Sequence, residues 1–98
     1  MTEFDLAVKE KIKIKKPRNY NVFLYNDDFT SFEFVINVLM TIFGHSAESA
    51  VMLTHSIHTA GRGVAGTYTF EIAEQKKLDT IELARANEFP LVVEVEPE

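Results

Sequence analysis

Cysteine is absent from the 98 residues of this chain. That absence excludes disulfides and thiolate metal sites, and it leaves the redox compartment open. Glycine is scarce, with four residues, and they build no phosphate-cradling loop. No serine is flanked by glycines in the manner of a nucleophile elbow. With these signatures missing, catalysis is not expected and no catalytic residue is assigned. No apolar run approaches the ~18 residues that a membrane span needs, and the N-terminus lacks an apolar signal-peptide core. A cytoplasmic protein without a membrane partner is the expectation.

Basic charge is also lacking over most of the chain. Residues 19–98 carry four basic and twelve acidic side chains, a net of −8. Phosphate contacts need Lys and Arg on the folded face, so nucleic acid is not an expected partner. Residues 1–18 are the opposite, with six basic residues against Glu3, Asp5 and Glu10, a net of +3. Their Lys-Glu-Lys-Ile-Lys-Ile-Lys-Lys run alternates, but Pro17 stops it and only two Ile can be buried. Residues 1–18 therefore read as a flexible basic extension, solvated or gripped by another machine. Residues 19–96 form the core domain. A hydrophobic fraction of 46% supports one modest core, burying ~60–65% of the unfolded surface.

The informative stretch runs from Tyr20 to Leu39. Val22 and Leu24 alternate with Asn21, Phe23 and Tyr25, which predicts a strand. Thr30-Ser31-Phe32-Glu33 has the capping-box pattern, with the Thr30 hydroxyl expected to cap. A helix is expected from Ser31 to Phe43, with Gly44 at its end. Ser46 then caps a second helix that ends at Gly61. Residues 62–66 read as a turn-rich link, residues 67–72 as a strand, residues 73–86 as a third helix closed by Asn87, and residues 91–95 as a final strand. The order β-α-α-β-α-β predicts an α+β, two-layer sandwich: a three-stranded sheet with helices on one face.

Asn26-Asp27-Asp28 sits between the first strand and helix. Three acceptor-rich side chains there can cap a loop. They can also capture an ammonium, whose charge is best met by carboxylate or amide oxygens. A Mg²⁺ or Ca²⁺ site is a third reading, although no EF-hand pattern accompanies it. His55 and His58 lie three residues apart on the second helix. They lack a third ligand for zinc, and either can simply be packed or exposed. His58, beside Ile57 and apolar neighbours, is the better candidate to accept a hydrogen bond from an ammonium. Two further readings are a small acidic-loop enzyme or metal binder using Asp27, Asp28 and His58, and a scaffold with no small-ligand site.

Tyr20, Val22, Leu24, Asn26, Asp27, Asp28 and Thr30 together resemble the signature of ClpS, the bacterial N-end rule adaptor family. The resemblance continues through Glu33-Phe34-Val35-Ile36, His58, Gly61, Gly66, Glu71, Ala73-Glu74, Lys76, Ala84, Asn87-Glu88 and Pro90-Leu91, without a gap over residues 20–95. It implies a fold like that of the ribosomal stalk protein's C-terminal domain. It implies a non-catalytic adaptor, without cofactor or metal, that binds a substrate's free N-terminal Phe, Leu, Tyr or Trp. The partner implied is the N-terminal domain of a ClpA- or ClpC-type unfoldase that feeds the ClpP protease; a monomer is the simplest state.

By the same resemblance, Asn26 and His58, with Asp27 nearby, meet the substrate's α-amino group. Asp28 helps hold the loop or meets the substrate backbone. Thr30, Phe32, Val35, Thr54, Ile57 and Leu91 line the side-chain pocket, and Glu71 and Lys76 contact the unfoldase. Thr54 stands where the family usually has Met, so a roomier mouth that tolerates Ile or Val is expected; Phe32 stands where the family often has Met, and its larger ring would offset the lost volume.

Overall fold

The computed structural model of the chain describes residues 18–98; the expected basic extension, Arg18 apart, lies outside the described residues. The elements are β1 (Tyr20–Tyr25), α1 (Phe32–Thr41), α2 (Ala47–Ala60), β2 (Arg62–Tyr68), α3 (Phe70–Ala86) and β3 (Val93–Pro97). The three strands form one antiparallel sheet in the order β2-β1-β3. The fold is the expected α+β arrangement.

β1 is the central strand, and its alternation decides the two faces of the sheet. Val22 and Leu24 are fully buried and belong to one core with Val38 and Leu39 of α1, Ala50 and Ile57 of α2, and Ala73 and Ala84 of α3. Phe23 and Tyr25 project the other way, as period-two alternation requires. There the Arg62 guanidinium lies 3.8 Å from the centre of the Phe23 ring. It also donates to the Tyr25 hydroxyl at 3.1 Å and to Glu96 at 2.8 Å, linking all three strands on the outer face.

The sequence-based boundaries need four corrections. First, Ser31 caps α1, its hydroxyl accepting from the Phe34 N–H at 3.1 Å. Thr30 does not cap. Its hydroxyl donates to the Asp27 carboxylate at 2.7 Å, because a charged acceptor makes the stronger bond.

Second, the expected link at residues 62–66 is most of β2. Tyr25 pairs with Arg62, Leu24 with Gly63, Phe23 with Val64 and Val22 with Gly66, so Ala65 is the extra residue of a bulge. The glycines that suggest a turn are there for close packing. A Cβ on Gly63 would lie 2.8 Å from Ile57 Cγ1.

Third, α3 begins at Phe70 and absorbs residues 70–72, which alternation assigns to a strand. Thr69 occupies its N-cap position without a side-chain cap bond, so no local signal marks that start.

Fourth, β3 begins at Val93, two residues after Leu91. Leu91 is buried, and the Tyr25 N–H donates to the Val92 carbonyl at 3.1 Å, holding this segment against the end of β1. The helix ends agree better with expectation. Gly61 takes φ +93° at the end of α2, and Asn87 closes α3. α1 stops earlier, with Ile42 as its C-cap, and Gly44 follows with φ +73°.

His45 fastens the α1–α2 connection to the sheet. One ring nitrogen lies 2.6 Å from the Ala65 carbonyl oxygen and the other 3.0 Å from the Ser49 hydroxyl. The bulge leaves Ala65 out of the ladder, and His45 supplies the partner its carbonyl needs.

Candidate functional site

A narrow apolar pocket opens where β1 runs into α1. Its walls are Leu24 and Tyr25 at the end of β1, Asn26, Asp27 and Thr30 of the loop, Phe32 and Val35 of α1, Thr54 and Ile57 of α2, and Leu91. The structure thus brings together the six expected pocket residues Thr30, Phe32, Val35, Thr54, Ile57 and Leu91. Leu24 and Tyr25 also line it. The periodicity of β1 assigns Leu24 to the core, which gave no hint of a second role. The free space inside, for the centre of a water molecule, is about 10 Å³, room for roughly one water.

The loop at the mouth is held by Asp27. One carboxylate oxygen accepts from the Phe29 N–H at 2.8 Å and the Thr30 N–H at 2.7 Å; the other accepts from the Thr30 hydroxyl. Burial pushes the Asp27 carboxyl up, but the hydrogen bonds from Thr30 and Phe29 outweigh it and hold it below the usual range. Asp27 is therefore the residue that shapes the loop, a part that the family resemblance offers as one of two roles for Asp28. Asp28 is exposed. The Asn26 N–H donates to the Gly61 carbonyl at 2.8 Å, which fixes the loop to the junction of α2 and β2.

Asn26 and His58, 32 residues apart, face each other across the mouth, with Asn26 Oδ1 3.4 Å from His58 Nδ1. If Nδ1 carries the proton, it points at Asn26 Oδ1 and Nε2 is left as an acceptor. His58 is exposed, a correction to its expected place among apolar neighbours. α2 buries Ile57 and Thr54 instead, and turns His58 outward. Its ring still packs edge-on against Phe32, centroids 5.3 Å apart.

Thr54 is 3% exposed, and its hydroxyl donates to the Ala50 carbonyl at 2.7 Å. The hydroxyl is thus satisfied within its own helix, and carbon atoms remain to meet a ligand.

Glu71 and Lys76 lie on α3, outside this pocket. Glu71 is exposed in the first turn. Lys76 is half-buried; its ammonium donates to the Ile42 carbonyl at 2.8 Å and lies 5.3 Å from the Tyr68 ring centre. Among the described residues no group of three or more His, Cys, Asp and Glu side chains is placed to hold a metal ion. None of the described helices is long and apolar enough to cross a membrane.

Comparison with known proteins gives one consistent answer. Residues 15–94 match the family model of the ATP-dependent Clp protease adaptor protein ClpS. The ATP-dependent Clp protease adapter protein ClpS of Hyphomonas neptunium is 44% identical over 97 residues, covering 99% of this chain and 82% of that one. The ClpS of Clostridium acetobutylicum is 43% identical over 90 residues, covering 92% and 89%. Among solved structures, Agrobacterium tumefaciens ClpS2 bound to L-phenylalaninamide superposes with a TM-score of 0.82 at 35% identity, over 85% of this chain and all of that one. A match over most of the chain, carried by both sequence and fold, makes this protein a member of the ClpS family of Clp protease adaptors.

Proposed function

We propose that this protein is a non-catalytic adaptor that binds the free N-terminal residue of a substrate, chiefly Phe, Leu, Tyr or Trp, and passes the substrate to a ClpA- or ClpC-type unfoldase for degradation by ClpP. The observation that carries the reading is the facing pair Asn26 and His58 at the mouth of an apolar pocket. A free α-amino group, with a pKa of about 7.7–8.0, is mostly protonated at pH 7 and donates to both acceptors. An acetylated or internal residue lacks that charged donor and forgoes the charge-assisted hydrogen bond, worth about 1.5–3 kcal/mol. Burying a Phe or Leu side chain against Val35, Ile57 and Leu91 contributes roughly 1.5–3 kcal/mol. The phenylalaninamide held by the related ClpS2 is a molecule of the same design, an ammonium on an apolar side chain.

Within this reading Asp27 supports the amino-group site by holding its loop, and Asp28 meets the substrate backbone. Exposed Glu71 and the neighbouring face of α3 around Lys76 contact the unfoldase's N-terminal domain. Thr54 gives the pocket a shorter wall than a Met would, so N-terminal Ile and Val are tolerated.

Fluorescence anisotropy tests this with labelled peptides beginning Phe, Leu, Tyr, Trp, Ile, Val or Ala, alongside N-acetyl-Phe. Tight binding of Phe and Leu that disappears on acetylation supports the adaptor. His58→Ala or Asn26→Ala is expected to weaken binding about tenfold or more, the loss of a charge-assisted hydrogen bond. Thr54→Met is expected to reduce binding of Ile and Val relative to Phe. Binding of no free N-terminus by the wild-type chain overturns the reading.

A further inference from the structure

Phe32 is the first residue of α1 and a wall of the pocket. It is only half-buried. Two imidazoles hold its ring. His55 meets it with centroids 5.3 Å apart and ring planes at 76°, and His58 meets it at 5.3 Å and 68°. Both are edge-to-face contacts, the favoured arrangement for aromatic pairs. The two histidines lie one turn apart on the same side of α2, and Phe32 packs against both.

The pocket with Phe32 in this position has room for about one water. A benzyl or isobutyl group is several times larger. A side chain of that size needs a lining residue to shift; Val35, Thr54, Ile57 and Leu91 are buried, whereas Phe32, half-buried like Tyr25 and Thr30, is the lining residue whose ring packs against surface side chains of α2. His58 also faces the amino-group site through Asn26. His55 has no such second contact: it is exposed, and among the described residues its imidazole makes no hydrogen bond. Its aromatic contact with Phe32 is what relates it to the pocket.

We propose that His55 is a positioning residue for side-chain selection. By bracketing Phe32 with His58 it holds the ring over the pocket, so the resistance of this ring to displacement sets which N-terminal side chains enter. The proposal rests on the adaptor reading and adds a residue to it. His55 touches no substrate; it acts through Phe32.

The test uses the full chain and peptides beginning Phe, Leu, Val or Ile. His55→Ala removes the ring at an exposed helix position that alanine suits, so folding is retained. It is expected to raise the preference for Phe over Val by about threefold or more, because the larger side chain needs the larger displacement of the ring and one edge-to-face contact is worth that much. His55→Phe restores an aromatic edge and is expected to restore the preference. In a Phe32→Leu background, His55→Ala is expected to change nothing further, because the ring it positions is gone. Without peptide, the His55 ring-proton resonances are expected to shift in Phe32→Leu as the ring current is lost. An unchanged or lowered Phe/Val ratio in His55→Ala overturns the proposal alone, as does an equal effect of that substitution in both backgrounds, or His55 resonances indifferent to Phe32→Leu. A wild-type chain that binds no free N-terminus overturns the adaptor reading and this proposal with it.

Discussion

The ammonium of Lys76, on α3, donates to the carbonyl oxygen of Ile42, the residue that closes α1, at 2.8 Å. The last carbonyls of a helix have no partner within it, and a cation there meets both the free acceptor and the negative end of the helix dipole. The contact spans 34 residues and ties the C-terminal end of α1 to the helix that lies on the sheet. Lys76 thus has an internal partner, even on a surface proposed to face the unfoldase.

Lys76→Met keeps most of the side-chain length and removes the charge. It is expected to lower stability by about 1–2 kcal/mol, the range for a lost charged hydrogen bond at a partly exposed site. Urea unfolding measures it. An unchanged midpoint means that the contact contributes nothing in solution. Any effect of the same substitution on unfoldase binding has to be read against this stability loss.

Asp27 makes the fold sensitive to acid. Its carboxyl is held below the usual range in the folded chain: burial acts in the other direction, and the hydrogen bonds from Thr30 and Phe29 prevail. A group depressed in this way stabilises the fold fully above its unfolded value of about 3.9, and the contribution is lost as pH falls through the lower folded value. Asp27→Asn is expected to cost about 1 kcal/mol or less at pH 7, given its partial exposure. Urea midpoints of both proteins at pH 7 and pH 3 provide the check, and the gap is expected to narrow at pH 3. An equal gap at both values rules out the carboxylate as its source.

Gly63 connects a backbone requirement to the pocket. A Cβ there would approach Ile57 Cγ1 to 2.8 Å and Leu53 Cδ1 to 3.4 Å. Ile57 is a pocket wall and nearly fully buried, so it has little room to yield. Gly63→Ala is expected to destabilise by roughly 1–3 kcal/mol through overpacking, and to weaken binding of a Phe peptide by displacing Ile57. Thermal unfolding and anisotropy on the same variant test both parts. Wild-type values in both assays contradict the close packing of β2 against α2.

Much of the site was legible because its signals are local. Asn26-Asp27-Asp28 announces an acceptor-rich loop by composition alone, and Ser46 and Gly61 mark the ends of α2 by cap chemistry that acts within one turn. The roles inside the loop were less legible. Thr30 and Ser31 both qualify as caps, and only the position of the Asp27 carboxylate decides between them. β2 was misread for a related reason. Arg62, Gly63 and Gly66 carry turn signals, yet β1 supplies the pairing partners and α2 the close packing that make this stretch a strand.

The sequence by itself determined the α+β class, the first strand with Val22 and Leu24 on one face, the two capped helices that follow it, the acidic loop and the family. These follow from periodicity, capping and motif order, which operate over a few residues. Only the tertiary structure decided that His58 turns outward to face Asn26, that Lys76 closes α1, and that His55 and His58 bracket Phe32. Each of those contacts joins residues more than twenty positions apart. Their geometry is set by how helices pack on a sheet, and a local pattern holds no record of it.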